Sequence, residues 1–264
     1  MAKNPRPANL STPAYTALIT GATSGLGAEF AQQLAASGHS LVLVARDEAR
    51  LESVAAELRS RYAVPVEVLP ADLLTDDGAA RVVQRLQDTS APISMLVNNA
   101  GYGLLGNFAD NSWDDELAHL RIHTEVPLHL AHAAINAMAA SGGGRIINVA
   151  SVAAFTPRGT YSAAKALMVN FSRWANVFYK DRGVHVLALC PGFVKTEFHQ
   201  RMNLDPKSIP EWSWLNAEQV VREGLTASNA GASVSIPSSK YRAAATLARI
   251  APDSIVEKIA RRGR

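Results

Sequence analysis

The sequence predicts an α/β protein built on one parallel β-sheet. Three observations carry that expectation. Six short apolar runs alternate with helical stretches along the 264 residues. The run at 41–45 is apolar at every position, as a strand buried on both faces of a parallel sheet must be. Each run ends in a polar or glycine-rich element, and in an open parallel sheet ligands lie along the carboxyl ends of the strands.

Composition narrows the class. Hydrophobic residues are 48% and charged residues 19% of the chain, which is globular rather than disordered. The length suits one well-buried core. A net charge of +3 gives no argument for nucleic acid. With one cysteine, Cys190, no intrachain disulfide is possible, and a reducing cytoplasm is the default. No apolar run approaches the roughly 18 residues of a membrane span. Residues 1–14 carry Pro5, Pro7 and Pro13 and no apolar core, so a loose tail is expected there, not a signal peptide.

Residues 16–20 (TALIT) read as the first strand. Gly21, Gly25 and Gly27 follow as G-x-x-x-G-x-G, and a helix is expected over 28–37 with Phe30, Ala31 and Leu34 on one stripe. Strand, glycine turn and helix form the setting in which backbone N–H groups hold a phosphate. The second strand, 41–45, ends at Arg46. No acid ends that strand to hold the ribose hydroxyls of NAD, and a flat guanidinium suits the 2′-phosphate of NADP. Asp47, beside it, works against that charge and is expected to cap a helix to about residue 61.

A third strand over 65–70 leads to Asp72 and Leu73, and a helix over 75–88 follows. The fourth strand, 93–98, runs into Asn98-Asn99-Ala100-Gly101. Asp110 or Ser112 is the expected cap of one long helix to about residue 139. The fifth strand, 145–150, leaves Ser151 just past its end, and the helix over 158–180 carries Tyr161 and Lys165 near its start. The sixth strand, 184–189, ends before Pro191 and Gly192. Asn216 should cap a helix to about residue 227, and 233–236 is a plausible seventh strand.

Tyr161 and Lys165 are four apart, so a helix places them on one face. Free tyrosine has a pKa of about 10, and lowering it to about 7 takes about 4 kcal/mol. A nearby ammonium in a partly dry site and a cationic cofactor ring can supply that.

Thr20-Gly21-x-x-x-Gly25-x-Gly27, Asp72, Asn98-Asn99-Ala100-Gly101, Ser151, Tyr161-x-x-x-Lys165 and Pro191-Gly192-x-x-x-Thr196 stand in that order. They resemble the short-chain dehydrogenase/reductase family, over roughly residues 15–237. The resemblance implies a Rossmann-like doubly wound parallel sheet of about seven strands with helices on both faces. It implies NADP(H)-dependent hydride transfer between the nicotinamide and a carbonyl or secondary alcohol. Tyr161 would be the acid/base, Lys165 would lower its pKa and hold the nicotinamide ribose, and Ser151 would polarise the carbonyl. Gly21, Thr23, Ser24, Gly25, Leu26 and Gly27 would cradle the cofactor. Asp72 and Leu73 would meet its adenine, Asn99, Ala100 and Gly101 would pack under it, and Pro191, Gly192, Val194 and Thr196 would hold its carboxamide end. Arg46 matches the NADP(H)-preferring pattern. The family is mostly dimeric or tetrameric. The other reading is a catalytically silent NADP(H)-binding regulator or redox sensor, which would not need Ser151, Tyr161 and Lys165 together.

The sequence departs from the family in two places. His123 stands where the family often has a catalytic Asn. The expectation is that Pro127, lacking an N–H, frees the His123 carbonyl for a relay water. Ser151 and Tyr161 are also closer in sequence than the family usually has them, which reshapes the pocket wall at Phe155, Pro157 and Arg158. Residues 197–215 fall at the family's substrate lid, where Phe198, Met202 and Trp212 suggest a hydrophobic ketone or aldehyde. Residues 238–264 form a basic helical extension that either covers the domain or touches an anionic membrane weakly.

Overall fold

The computed structural model describes residues 15–104, 106, 108–157, 159–196 and 210–250, without the side chains of 249 and 250. It holds a seven-stranded sheet in the order β3-β2-β1-β4-β5-β6-β7. The strands are β1 Thr16–Thr20, β2 Ser40–Ala45, β3 Val66–Pro70, β4 Met95–Asn98, β5 Gly144–Val149, β6 Val184–Leu189 and β7 Val234–Ser235. Every neighbouring pair is parallel. The expected α/β class, strand count and doubly wound plan are all present.

The period of two along each strand builds two cores. Ala17, Ile19, Leu41 and Leu43 face one side, with Phe30, Leu51 and Val220. Leu18, Val42 and Val44 face the other, with Val82, Leu130 and Ala175. Both faces are therefore covered, which is why the strands read as unbroken apolar runs.

The helices are α1 Gly25–Ala36, α2 Glu48–Tyr62, α3 Asp76–Gln87, α4 Trp113–Leu120, α5 Val126–Ala140, α6 Gly159–Tyr179, α7 Ala217–Asn229 and α8 Ser239–Ile250. Side chains of Asp47, Thr75, Ser112 and Asn216 accept from backbone N–H groups and cap α2, α3, α4 and α7. Ser112, not Asp110, is the cap of α4.

The expected single helix to residue 139 is corrected. Arg121–Glu125 is a π turn between α4 and α5, with the Val126 N–H bonded to the Arg121 carbonyl. The cause is Pro127, which cannot donate to the carbonyl four residues back. The helix absorbs the missing bond by widening. Of the basic helical extension expected over residues 238–264, the described part is one helix, α8, and residues 251–264 lie outside the described residues. Among the described residues, no helix is long and apolar enough to cross a membrane.

Candidate active site

The order of strands reverses between β1 and β4, and the polar strand ends converge there. Thr20 closes β1. Its hydroxyl accepts from the backbone N–H groups of Asn99 (2.9 Å) and Ala100 (3.0 Å). The Asn99 amide donates to the Thr20 carbonyl at 2.9 Å. The Asn-Asn-Ala-Gly turn is thus bolted to the glycine turn.

Gly21 and Gly25 hold φ of +66° and +56°, conformations in which a side chain is strained. A Cβ on Gly27 would lie 2.1 Å from the Gly21 carbonyl oxygen. Unlike its four counterparts, α1 is not capped by its N-cap side chain, Ser24. Its first turn points backbone N–H groups out of the glycine loop, with Thr23 and Leu26 beside them, a fit to an anionic phosphate. Arg46 is exposed just beyond β2. Asp72 accepts from the Leu74 N–H through Oδ1 at 3.0 Å, and Leu73 is buried beside it. Thr196 stands against Gly25, its Cβ 3.3 Å from where a glycine Cβ would be. Val194 is buried and forms a bridge with Leu215. These residues fit a dinucleotide laid across the strand ends.

Ser151 follows β5 and its Oγ accepts from the Ala153 N–H at 3.1 Å. That leaves its proton for the Tyr161 phenol, whose pKa it is close enough to pull down. The short loop therefore still permits the contact. Lys165 is buried, lies 5.6 Å from the Tyr161 ring centroid, and donates to the Val149 carbonyl at 2.7 Å. Burial dominates both groups: it pushes Tyr161 up to about 12 and Lys165 down to about 8. The expected lowering of the phenol by Lys165 is not found in the protein alone. Burial favours each uncharged form, and Ser151 only partly offsets it at Tyr161.

The π turn aims His123 inward. Its Nε2 pairs with the Tyr102 carbonyl at 2.8 Å. Because a carbonyl only accepts, Nε2 carries the proton and Nδ1 is an acceptor. Nδ1 has no partner among the described residues, nor has Oδ1 of buried Asn98. Both residues and Lys165 line a small cavity, with about 10 Å³ open to the centre of a water molecule. That is the room one water needs. His119, one turn earlier, packs its ring 4.5 Å from His123 and 5.9 Å from Tyr161. Burial lowers the pKa of both histidines, His123 the more strongly.

The profile of the short chain dehydrogenase family matches residues 15–207. The chain belongs to that family. It is 33% identical over 203 residues to the oxidoreductase UcpA of Escherichia coli, covering 74% of this chain and 76% of UcpA. A short-chain dehydrogenase from Sphingobium yanoikuyae in complex with NADPH superposes with a TM-score of 0.82, at 33% identity, over 95% of this chain and 96% of the other. A bulky-bulky ketone specific alcohol dehydrogenase from Comamonas testosteroni gives 0.78 at 31% identity, over 94% and 95%. This short-chain dehydrogenase is an oxidoreductase on the fold the resemblance implied.

The substrate side follows the sequence less closely. Phe155 packs against Ala150, Val169, Ala188 and Cys190, so its ring serves the core beneath the site. Trp212 is 72% exposed, and the Lys240 ammonium sits over its ring. Phe198, Met202, Arg158 and most of the expected lid lie outside the described residues.

Sequence reasoning missed Glu116 and His119. They share a helical stripe with His123, at i, i+3 and i+7, where a core-facing helix should be apolar. Polar residues on that stripe were the available signal. It also missed Tyr241 of α8. Its hydroxyl accepts from the Phe193 N–H at 3.2 Å and donates to the Ser213 carbonyl at 2.7 Å. Its ring covers Gly192, where an added Cβ would lie 2.1 Å from it.

Proposed function

We propose that this protein is an NADP(H)-dependent carbonyl reductase or secondary-alcohol dehydrogenase for a hydrophobic ketone or aldehyde. The observation that carries the reading is the Ser151–Tyr161–Lys165 group at the switch point of the sheet, beside an uncapped glycine-turn helix. NADPH, when bound, supplies the hydride. Gly21 to Gly27 would take its phosphates, Arg46 its 2′-phosphate, Asp72 its adenine end, and Lys165 its ribose hydroxyls. Two similar structures support the cofactor and substrate class: at 33% identity a short-chain dehydrogenase in complex with NADPH, and at 31% a bulky-bulky ketone specific alcohol dehydrogenase.

In reduction, Tyr161 must be a proton donor, and a phenol held at about 12 is protonated at neutral pH. Ser151 donates to the substrate oxygen and orients it toward the phenol. Lys165, charged below about pH 8, stabilises the phenolate left after proton transfer. A water between Lys165, Asn98 Oδ1 and His123 would return the proton. Here the free imidazole nitrogen is an acceptor for that water.

A homo-oligomer fits the surface. On α6, Trp174 and Phe178 stack at 5.3 Å and are 50% and 63% exposed, beside Val177 and Leu167. Such a stripe asks for cover by a second copy. A buried lone cysteine suits a cytoplasmic setting.

The test is NADPH oxidation across a panel of ketones and aldehydes, wild type against Tyr161→Phe. Loss of turnover on the substitution, with NADPH binding kept, supports the reading. Cofactor binding without turnover of any compound by the wild type would favour the silent sensor.

A further inference from the structure

Glu116 is a buried carboxylate that its own helix does not need. It lies in the first turn of α4 and is 3% exposed. The cap of α4 is already supplied by Ser112, whose Oγ accepts from the Asp115 N–H at 3.1 Å. Both Glu116 oxygens are turned to other parts of the chain. Oε1 accepts from Asn111 Nδ2 at 2.9 Å, and Oε2 accepts from Thr160 Oγ1 at 2.7 Å. Asn111 closes the connection that leaves β4 through Gly101 and Tyr102. Thr160 is the residue before Tyr161 in the first turn of α6.

The rest of the same helical stripe holds Tyr161 from the side. The His119 and His123 rings lie 5.9 Å and 5.3 Å from the Tyr161 ring. Glu116 therefore fixes the backbone at Tyr161 while the two imidazoles fix its ring. A first helical turn has few internal hydrogen bonds and frays easily. A phenol carried there keeps its place only if something outside the helix ties it down, and a displacement of about 1 Å at a reacting group costs up to about a hundredfold in rate.

We propose that Glu116 is a positioning residue: by bridging Asn111 and Thr160 it fixes the first turn of α6 and so the Tyr161 hydroxyl relative to Ser151. The role rests on the reading of Tyr161 as the acid/base. Bracing needs two hydrogen bonds, not a charge. A glutamine can accept from Asn111 and donate to Thr160, whose hydroxyl then accepts. Glu116→Leu can do neither and leaves both half-buried partners without one.

The experiment compares the wild-type protein with Glu116→Gln, Glu116→Leu and Thr160→Val. It measures amide hydrogen exchange, NADPH binding, and kcat and KM on the best ketone. Glu116→Leu is expected to speed exchange in the first turn of α6, to lower kcat by about tenfold or more, and to leave the NADPH Kd within about twofold. Glu116→Gln should stay within about threefold of wild type in kcat. Thr160→Val, which keeps the carboxylate, should show the same exchange change and a part of the kcat loss. If Glu116→Leu fails to fold, the Thr160→Val result decides. Unchanged exchange in α6, or Glu116→Gln as impaired as Glu116→Leu, overturns the bracing role. Tyr161→Phe is run alongside. Full activity in that variant sinks the acid/base reading, while the exchange data still judge Glu116.

Discussion

His123 stands edge-on to Tyr161, with ring centroids 5.3 Å apart and planes at 89°. Its Nε2–H is spent on the Tyr102 carbonyl, and a Cβ on Gly101 would lie 2.4 Å from its Cε1. The imidazole thus fills the space between the β4 turn and the Tyr161 phenol as a neutral ring.

Burial holds the His123 pKa well below 6.5. The unfolded chain binds a proton near pH 6.5 that the folded chain refuses, so stability falls as pH drops below about 6.5. His119 adds to the same trend. Denaturant midpoints should therefore fall between pH 7 and pH 5. His123→Asn, which cannot titrate, should flatten that fall. An equally steep fall in the variant would mean that other groups set the acid limit.

Much of the fold was legible because the sheet is buried on both faces, and continuous apolar runs such as 41–45 have few other homes. The glycine turn after β1 was legible because Gly21 and Gly27 answer to backbone constraints that no other residue meets. The π turn was only half legible. Pro127 announced a missing bond, but whether the helix would kink, end or widen depends on packing against α6. Glu116 and His119 showed only as polar residues on an apolar stripe. Their tasks, and that of Tyr241, come from contacts with Thr160, Tyr161 and Phe193, each about 40 or more positions away, which local periodicity does not register. Trp212 reads as pocket lining because it is an aromatic in a lid-like stretch; among the described residues its ring is exposed beneath the Lys240 ammonium of α8.

Lys165 carries a stability cost from its burial. Burial lowers it to about 8, so below pH 8 the fold holds an ammonium out of water. Between about pH 8 and 10.5 the unfolded chain binds a proton the folded chain lacks, and stability from this group rises with pH. Lys165→Met removes the cost but leaves the Val149 carbonyl without its donor. The net expectation at pH 7 is a gain of about 1–3 kcal/mol, shrinking to none near pH 10.5, with turnover lost. Chemical denaturation at pH 7 and pH 10 measures both. A variant destabilised at pH 7 would show that the ammonium is well paid for by its bonds, contrary to the burial argument.

Arg46 is exposed and follows β2 directly. Its guanidinium can meet a 2′-phosphate in two parallel bonds, and charge-assisted bonds of that kind are worth about 1.5–3 kcal/mol. Arg46→Ala should raise the Kd of NADPH by about ten- to a hundredfold and leave that of NADH within about twofold. Fluorescence titration with both cofactors separates the outcomes. Equal weakening would make Arg46 a surface residue without a role in cofactor choice.

Gly192 and Tyr241 are fitted to each other across the sheet's carboxyl edge. Any Cβ at Gly192 would lie 2.1 Å from Tyr241 Cζ, inside any real contact, and the ring is held in place by its hydroxyl bonds to Phe193 and Ser213. Gly192→Ala should therefore push α8 off the turn, costing about 1–3 kcal/mol and weakening NADPH at the carboxamide end. Tyr241→Ala alone leaves the Phe193 N–H without its partner and opens a cavity, so it too should destabilise. In the double variant the clash is gone, and the two losses should sum to less than their separate values by at least about 1 kcal/mol. Thermal melts with and without NADPH on the four proteins supply the cycle. Strict additivity would mean that the ring moves away freely, and that α8 does not hold the turn on which the cofactor's reactive end is expected to rest.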